Sequence, residues 1–281
     1  MAQAFEYCEQ LVRQNDKDRF LAALFAPADR RGALHALYAF DLEIAGIGAR
    51  VHEPMAGELR LQWWREVLAG ARAEEARASP LAAALCQTAA REHVSRELLI
   101  GFIDAHAFDL YREPMATVAD FESYARRTTG AIMQLAALAL DSTENAGLEA
   151  VAGHAGIATA LSDALRHIAR SASRRQLLLP AEVLARHGVE PDDVYSGRAA
   201  AGLLPALKDL RGLARHHLEM ALRLVPAVPP AARAALLPLA LVPLYLARME
   251  RSDYEPFATP IEVPQWRRQL RLWRTARAWL R

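Results

Sequence analysis

The chain predicts an all-α protein, and three observations carry that expectation. Ala, Leu and Arg, all good helix formers, dominate the composition. Apolar residues recur three and four apart, as in Leu34, Leu37, Ala39 and Ile44, and again in Leu161, Ala164, Leu165 and Ile168. β-Branched alternation with two-residue hairpin turns is missing.

Taken in order, the periodicity predicts helices near 3–15 and 18–24, closed by Pro27, then 28–48, which ends before Pro54. Segments near 57–71 and 79–90 follow, the second opening at Pro80, and 95–110 ends before Pro114. Long patterns follow at 118–140 and 144–170. A short helix near 180–187 lies between Pro180 and Pro191; Gly188 behind Arg186 and His187 suits a C-terminal cap with cations at the negative end of the dipole. The last helices span 199–224 before Pro229, 230–252 before Pro256 and Pro260, and 262–280. No internal repeat, low-complexity tract or long linker interrupts the series, so residues 1–281 read as one domain.

Composition narrows the function. Of 281 residues, 53% are hydrophobic and 24% charged, which suits a packed soluble core. A net charge of +1 supplies no bulk field for nucleic acid. The two cysteines, Cys8 and Cys86, form no metal or redox motif and fit a reducing compartment. No apolar run reaches the ~18 residues of a spanning helix, and no apolar signal core opens the chain. The expectation is a cytoplasmic protein, soluble or peripheral on the inner face of a membrane. G-x-S-x-G, P-loop and G-x-G-x-x-G patterns are missing, so hydrolase and nucleotide readings lack a starting residue.

The most informative stretch runs from Gly156 to Pro180. It resembles the second aspartate-rich motif of the squalene/phytoene synthase family, G-x-A-x-Q-x-T-N-I-L-R-D-x-x-E-D-x-R-x-G-R-x-Y-L-P. Gly156, Ala158, Leu165, Arg166, Leu179 and Pro180 keep register, while His167, Arg170 and Ser171 stand where the family places acids. The first motif, Y-A-F-C-R-x-x-D-D-x-x-D, resembles Tyr38-Ala39-Phe40-Asp41-Leu42 and onward. Its three acids become Ala45, Gly46 and Ala49, and its Arg becomes Leu42. Phe20 with Pro27 and Arg31, Asp109-Leu110, Phe121-Glu122-Ser123-Tyr124 and Gly130 follow further family fragments in order. Arg60-Leu61-Gln62-Trp63-Trp64, Ser173-Arg174-Arg175 and His187-Gly188-Val189 resemble a divergent branch that includes a mitochondrial assembly factor for respiratory complex I. The resemblance implies the isoprenoid (trans-prenyltransferase) synthase fold, a helical bundle around a largely apolar central cavity. In that family the acids hold Mg²⁺, a hard cation needing oxygen ligands. Their loss from both motifs implies altered or lost chemistry.

On helices, residues four apart share a face. Asp41, Ala45 and Ala49 then line up, as do Asp163 and His167. With the implied fold, Tyr38, Asp41, Tyr124, Asp163, Arg166 and His167 form the polar wall at the cavity mouth. Asp163 and His167 could pair and favour imidazolium; a structural pair, a residual ligand pocket and surviving catalysis are all open. Arg31, Arg174 and Arg175 are candidates for a phosphate or an acidic partner, or a solvated turn. His216-His217 lacks accompanying metal-ligand spacing and is expected at the surface. Trp63 is expected buried and Trp64 partly out. In the C-terminal segment Trp266, Leu270, Trp273 and Leu280 lie near one stripe, and Arg267, Arg268, Arg271, Arg274 and Arg281 form a basic remainder. This suits an anionic membrane surface or an acidic partner, or simply a packed terminal helix.

The leading expectation is a non-catalytic homologue acting as an assembly or scaffolding factor for a membrane respiratory complex, complex I by resemblance. Its partners would be subunits or assembly factors of that complex, and no nucleic acid. No cofactor is expected; Mg²⁺ enters only for the alternative, a head-to-head prenyl transferase. A third possibility is a protein that binds a prenyl lipid without turnover.

Overall fold

The computed structural model describes residues 2–280 apart from 93, 112, 144 and 145. Arg281 therefore lies outside the described residues. Every regular element among those described is helical: α1 (Ala2–Asn15), α2 (Lys17–Ala23), α3 (Arg31–Ala45), α4 (Ile47–Arg50), α5 (Pro54–Ala69), α6 (Ala73–Ala78), α7 (Pro80–Arg91), α8 (Arg96–Ala105), α9 (Val118–Ala125), α10 (Ala131–Leu140), α11 (Ala146–Arg166), α12 (Ile168–Ser173), α13 (Ala181–Arg186), α14 (Pro191–Tyr195), α15 (Leu203–Leu224), α16 (Val242–Arg248) and α17 (Gln265–Trp279).

Local chemistry sets many of the ends. Ser79 accepts from the Ala82 amide ahead of Pro80 at the first turn of α7, and Ser95 accepts from Leu98 at 3.2 Å to open α8. Thr117 and Asp120 form a reciprocal capping box on α9. Gly188, at φ 67°, closes α13 as its place behind Arg186 and His187 predicts, with the Val189 amide returning to Leu184 O at 3.1 Å.

The predicted helices are found, with internal breaks that periodicity does not reveal. The 28–48 segment opens with a turn and is interrupted at Gly46 between α3 and α4. The 144–170 segment breaks at His167 (φ −106°) between α11 and α12. Between α9 and α10 the helix widens into one π turn, Arg126–Gly130, where the Thr128 hydroxyl donates to the Tyr124 carbonyl at 2.8 Å. The 230–252 segment starts as a 3₁₀ helix, Ala232–Leu241, with Pro238 inside it. Helices α6 and α14 are too short for their periodicity to register.

The core forms around α10, buried nearly all round, with α3, α8, α11 and the 3₁₀ segment about it. α11 packs along α15 and crosses the π turn at very close range. There a Cβ on Gly156 would lie 2.4 Å from Gly130 N and 2.5 Å from Gly130 Cα, so only two glycines permit the approach. These are the glycines of two separate family fragments.

Two expectations are reversed by packing. Trp64 is buried against Phe40, whereas Trp63 is half-buried and donates its indole N–H to Glu75 at 2.7 Å. His217 is buried rather than exposed: its Nδ1 lies 2.9 Å from His154 Nδ1, and its Nε2 lies 3.2 Å from Glu122 Oε1. Only His216 of that dipeptide faces solvent.

Candidate functional site

The two degenerate motifs meet across a small cleft. Ala45 at the end of α3 and Ala49 in α4 share a cavity of about 200 Å³ with Ser171 of α12, Arg174, Asp109, Glu113 and Tyr124. Positions that carry family acids thus do converge, but they present methyl and hydroxyl groups. At one side Tyr124 donates its phenol hydrogen to the Asp109 carboxylate (2.9 and 3.0 Å), and His106 Nδ1 lies 2.6 Å from the same group. Burial, then the Asp109 charge, pushes the Tyr124 phenol well above its ordinary pKa, so it stays a neutral donor.

A second, polar cavity of about 360 Å³ opens on the other side of Asp41, lined among others by Asp16, Asp18, Arg19, Asp163, Arg166, His167, Tyr245 and Arg268. The six residues expected at one mouth are therefore divided. Tyr124 lines the small cleft, Asp163, Arg166 and His167 line the polar cavity, and Tyr38 and Asp41 lie between, at 2% and 13% exposure. The space these residues surround is charged, not largely apolar. The reason is the α1–α2 corner, whose Asp16, Asp18 and Arg19 project inward.

Arg19 organises the band. Its Nη1 binds Asp41, its Nε lies 3.4 Å from Asp16, and its guanidinium stands 5.3 Å from the Tyr38 ring. Burial opposes its charge, but Asp41 and Asp16 outweigh that and keep it protonated. Desolvation raises the Asp16 pKa, and the nearby Asp18 and Asp163 charges add to the rise. Asp18 in turn binds Arg268 and the Tyr245 hydroxyl. Arg166 donates to Asp163 at 3.0 Å and stacks over the Tyr245 ring at 3.6 Å.

Asp163 and His167 do not form the expected side-chain ion pair. Asp163 is taken by Arg166, and His167 places Nδ1 2.9 Å from the Asp163 backbone carbonyl. Desolvation lowers the His167 pKa; Asp163 raises it, but Arg166 and Arg170 work the other way, so the net shift favours the neutral ring. Arg31 is structural: it binds the carbonyls of Ala26 (3.0 Å) and Leu24 (2.8 Å) and ties the turn before α3. Arg175, at φ 51°, pairs with Asp192 and stacks on Tyr195, fastening α14. Arg174 alone of the three lines a candidate cavity, and it holds no ion pair among the described residues.

Sequence reasoning missed Arg19, Asp16, Asp18 and Tyr245, and placed Arg268 on the outside. The alternating charges of Asp16-Lys17-Asp18-Arg19, just before Phe20, were the available signal. Chemically the set does not fit Mg²⁺. Each acid of the band already engages an arginine, a tyrosine or a histidine, and among the described residues no three His, Cys, Asp or Glu side chains gather as a metal site.

The fold is that of the isoprenoid synthases. A dehydrosqualene synthase crystal structure with bound ligand superposes with a TM-score of 0.86 over 99% of this chain and 97% of that one, at 19% identity, a likeness of fold alone. The squalene/phytoene synthase family model matches residues 12–274, and the chain belongs to that family. Among curated relatives, the NADH dehydrogenase (ubiquinone) complex I assembly factor 6 of Rattus norvegicus is 27% identical over 251 residues, 89% of this chain and 75% of the relative. The 15-cis-phytoene synthase of Synechococcus elongatus is 25% identical over 285 residues, 95% of this chain and 91% of that protein.

Proposed function

We propose that this chain is a non-catalytic squalene/phytoene synthase homologue that serves as an assembly or scaffolding factor for a membrane respiratory complex, complex I in the first instance. The observation that carries the reading is the closure of the acidic band by protein cations. Arg19, Arg166 and Arg268 occupy the charge-neutralising role that metal ions would otherwise fill, while Ala45, Ala49 and Ser171 put no carboxylate at the motif positions that line the cleft, where Asp109 is already engaged by Tyr124 and His106. A leaving diphosphate would find no metal to offset its developing charge, and stabilisation of that kind is usually the main source of rate enhancement. The relatives named complex I assembly factor 6 support the choice of client.

Two measurements test it. Purified protein incubated with farnesyl diphosphate, Mg²⁺ and NADPH should leave the substrate intact, and restoring Asp at positions 45, 46 and 49 should not start turnover, because Arg174 stays in the cleft and His167 and Arg170 still replace acids. Deleting the gene should lower assembled complex I on native gels, with full recovery on complementation. Stoichiometric conversion to squalene or its precursor, or normal complex I in the deletion strain, would overturn the proposal.

A second reading, a prenyl-lipid carrier, draws on a different cavity. An apolar cleft of about 780 Å³ lies between α5, α6, α7 and α8, walled by Val67, Leu68, Ala76, Val94 and Leu99. Its volume falls in the range of ligand pockets. Lipid co-purifying with the protein, and displaced by a bulky residue at Ala83, would favour this reading.

A further inference from the structure

α17 is amphipathic twice over. One side seats the helix on the body: Leu272 and Ala276 are buried, Arg268 binds Asp18, Arg271 Nε donates to Ala240 O at 3.2 Å, and Arg233 donates to Trp279 O at 2.8 Å. With these contacts made, the helix still turns Trp266, Leu270 and Trp273 to solvent, at 60%, 38% and 47% exposure. Their spacing of four and three places them on one face. Arg267 stands 5.2 Å from the Trp266 ring and Arg277 5.0 Å from that of Trp273. Arg267, Arg274 and Arg277 hold no ion pair among the described residues, and α17 contains no acid. A helix that merely closed the bundle would turn its tryptophans inward. Here folding leaves two indoles in water beside three unpaired guanidinium groups.

We infer that this face of α17 lies on an anionic lipid surface, parallel to the bilayer plane. Indole rings are amphipathic and favour the headgroup level, while guanidinium groups bind lipid phosphates. The charge is of one sign and the face is a helix ridge rather than a groove, which suits a planar array of anions. Among the described residues no helix is long and apolar enough to cross a membrane, so attachment of this kind would be reversible. Docking by this face does not depend on the assembly-factor reading, since a synthase or a carrier could attach in the same way.

The test uses full-length protein and flotation with vesicles of phosphatidylcholine alone or mixed with phosphatidylglycerol. Binding is expected to the mixed vesicles only, at low salt, with release near ~1 M salt, where the screening length falls to about 3 Å. Near an anionic surface each arginine is worth roughly a five-fold gain in partitioning, so Arg267→Gln/Arg274→Gln/Arg277→Gln should weaken binding about 100-fold. Trp266→Ala/Trp273→Ala should weaken it as well, and both variants should keep the native circular dichroism and melting temperature because none of these side chains enters the core. Arg268 is left intact, since reversing it would break its pair with Asp18. Wild-type protein that ignores the mixed vesicles, or folded variants that bind them as wild type does, would overturn the inference. So would a membrane association in cells that requires these residues but survives only where a protein partner is present. None of these results alters the turnover and complex I measurements above.

Discussion

Arg19→Met is the most exacting test of the charge-closed interior. The side chain is 14% exposed and serves two acids at once, Asp41 at 13% and Asp16 at 22% exposure. Methionine keeps much of the packing volume against Tyr38 and removes the charge. Breaking a buried pair by deleting one partner costs about 3–5 kcal/mol, because the remaining charge stays desolvated. With two carboxylates stranded, a loss in the upper half of that range is expected from urea unfolding monitored by circular dichroism. The penalty should shrink on acidification. A stranded carboxylate has its folded pKa raised above the unfolded value, so the folded state takes up protons first and regains stability as pH falls through that pKa. Pairing Arg19→Met with Asp41→Leu, an apolar replacement of the Arg19–Asp41 pair, should recover the share of the loss due to Asp41, since such replacements are often neutral, and leave the share due to Asp16. A loss under about 1 kcal/mol would class the contact with exposed ion pairs and refute the argument. An Asp41→Leu effect of equal size with and without Arg19 would refute the pairing itself.

Two further outcomes follow from packing and protonation. Gly156→Ala must push a methyl group into the Gly130 backbone, so it should destabilise by ~2 kcal/mol or more, whereas Gly212→Ala meets nothing within 4 Å and should stabilise by roughly 0.5–1 kcal/mol; similar melting temperatures for the two would contradict the crossing geometry. The buried His217 and His35 have pKa values lowered chiefly by desolvation. Below the ordinary value of 6.5 the unfolded chain then binds more protons than the native one, and stability falls with pH by up to about 1.4 kcal/mol per unit for each ring. Melting temperatures recorded at constant ionic strength between about pH 7 and 5 should therefore decline, and His217→Gln should make the decline shallower; an unchanged slope would remove His217 from the account.

The sequence by itself determined the helical class, the order and approximate extent of the long helices, and the family frame. These rest on information local to the chain: a 3.6-residue apolar period, prolines and capping residues at the ends, and motif residues whose spacing survives even where their acids do not. It also identified Ala45, Ala49 and Ser171 as standing at the positions of the lost acids, but grouped both motifs around one cavity where the structure has two. Tertiary structure decided what local pattern leaves open. Whether Trp63 or Trp64 turns inward depends on where α3 and α8 lie, and the Phe40 ring settles it. Asp163 could reach Arg166 or His167 from the same helix face; the break at His167 and the Tyr245 ring beneath Arg166 select the arginine. The interior of the bundle is charged because the α1–α2 corner, a short segment with little periodic signal, swings Asp16, Asp18 and Arg19 against residues 22 to 250 positions away. The C-terminal helix carries two faces that either could have been buried. Leu272, Ala276 and the Arg268–Asp18 pair fix which one meets the body, and so leave Trp266 and Trp273 in solvent.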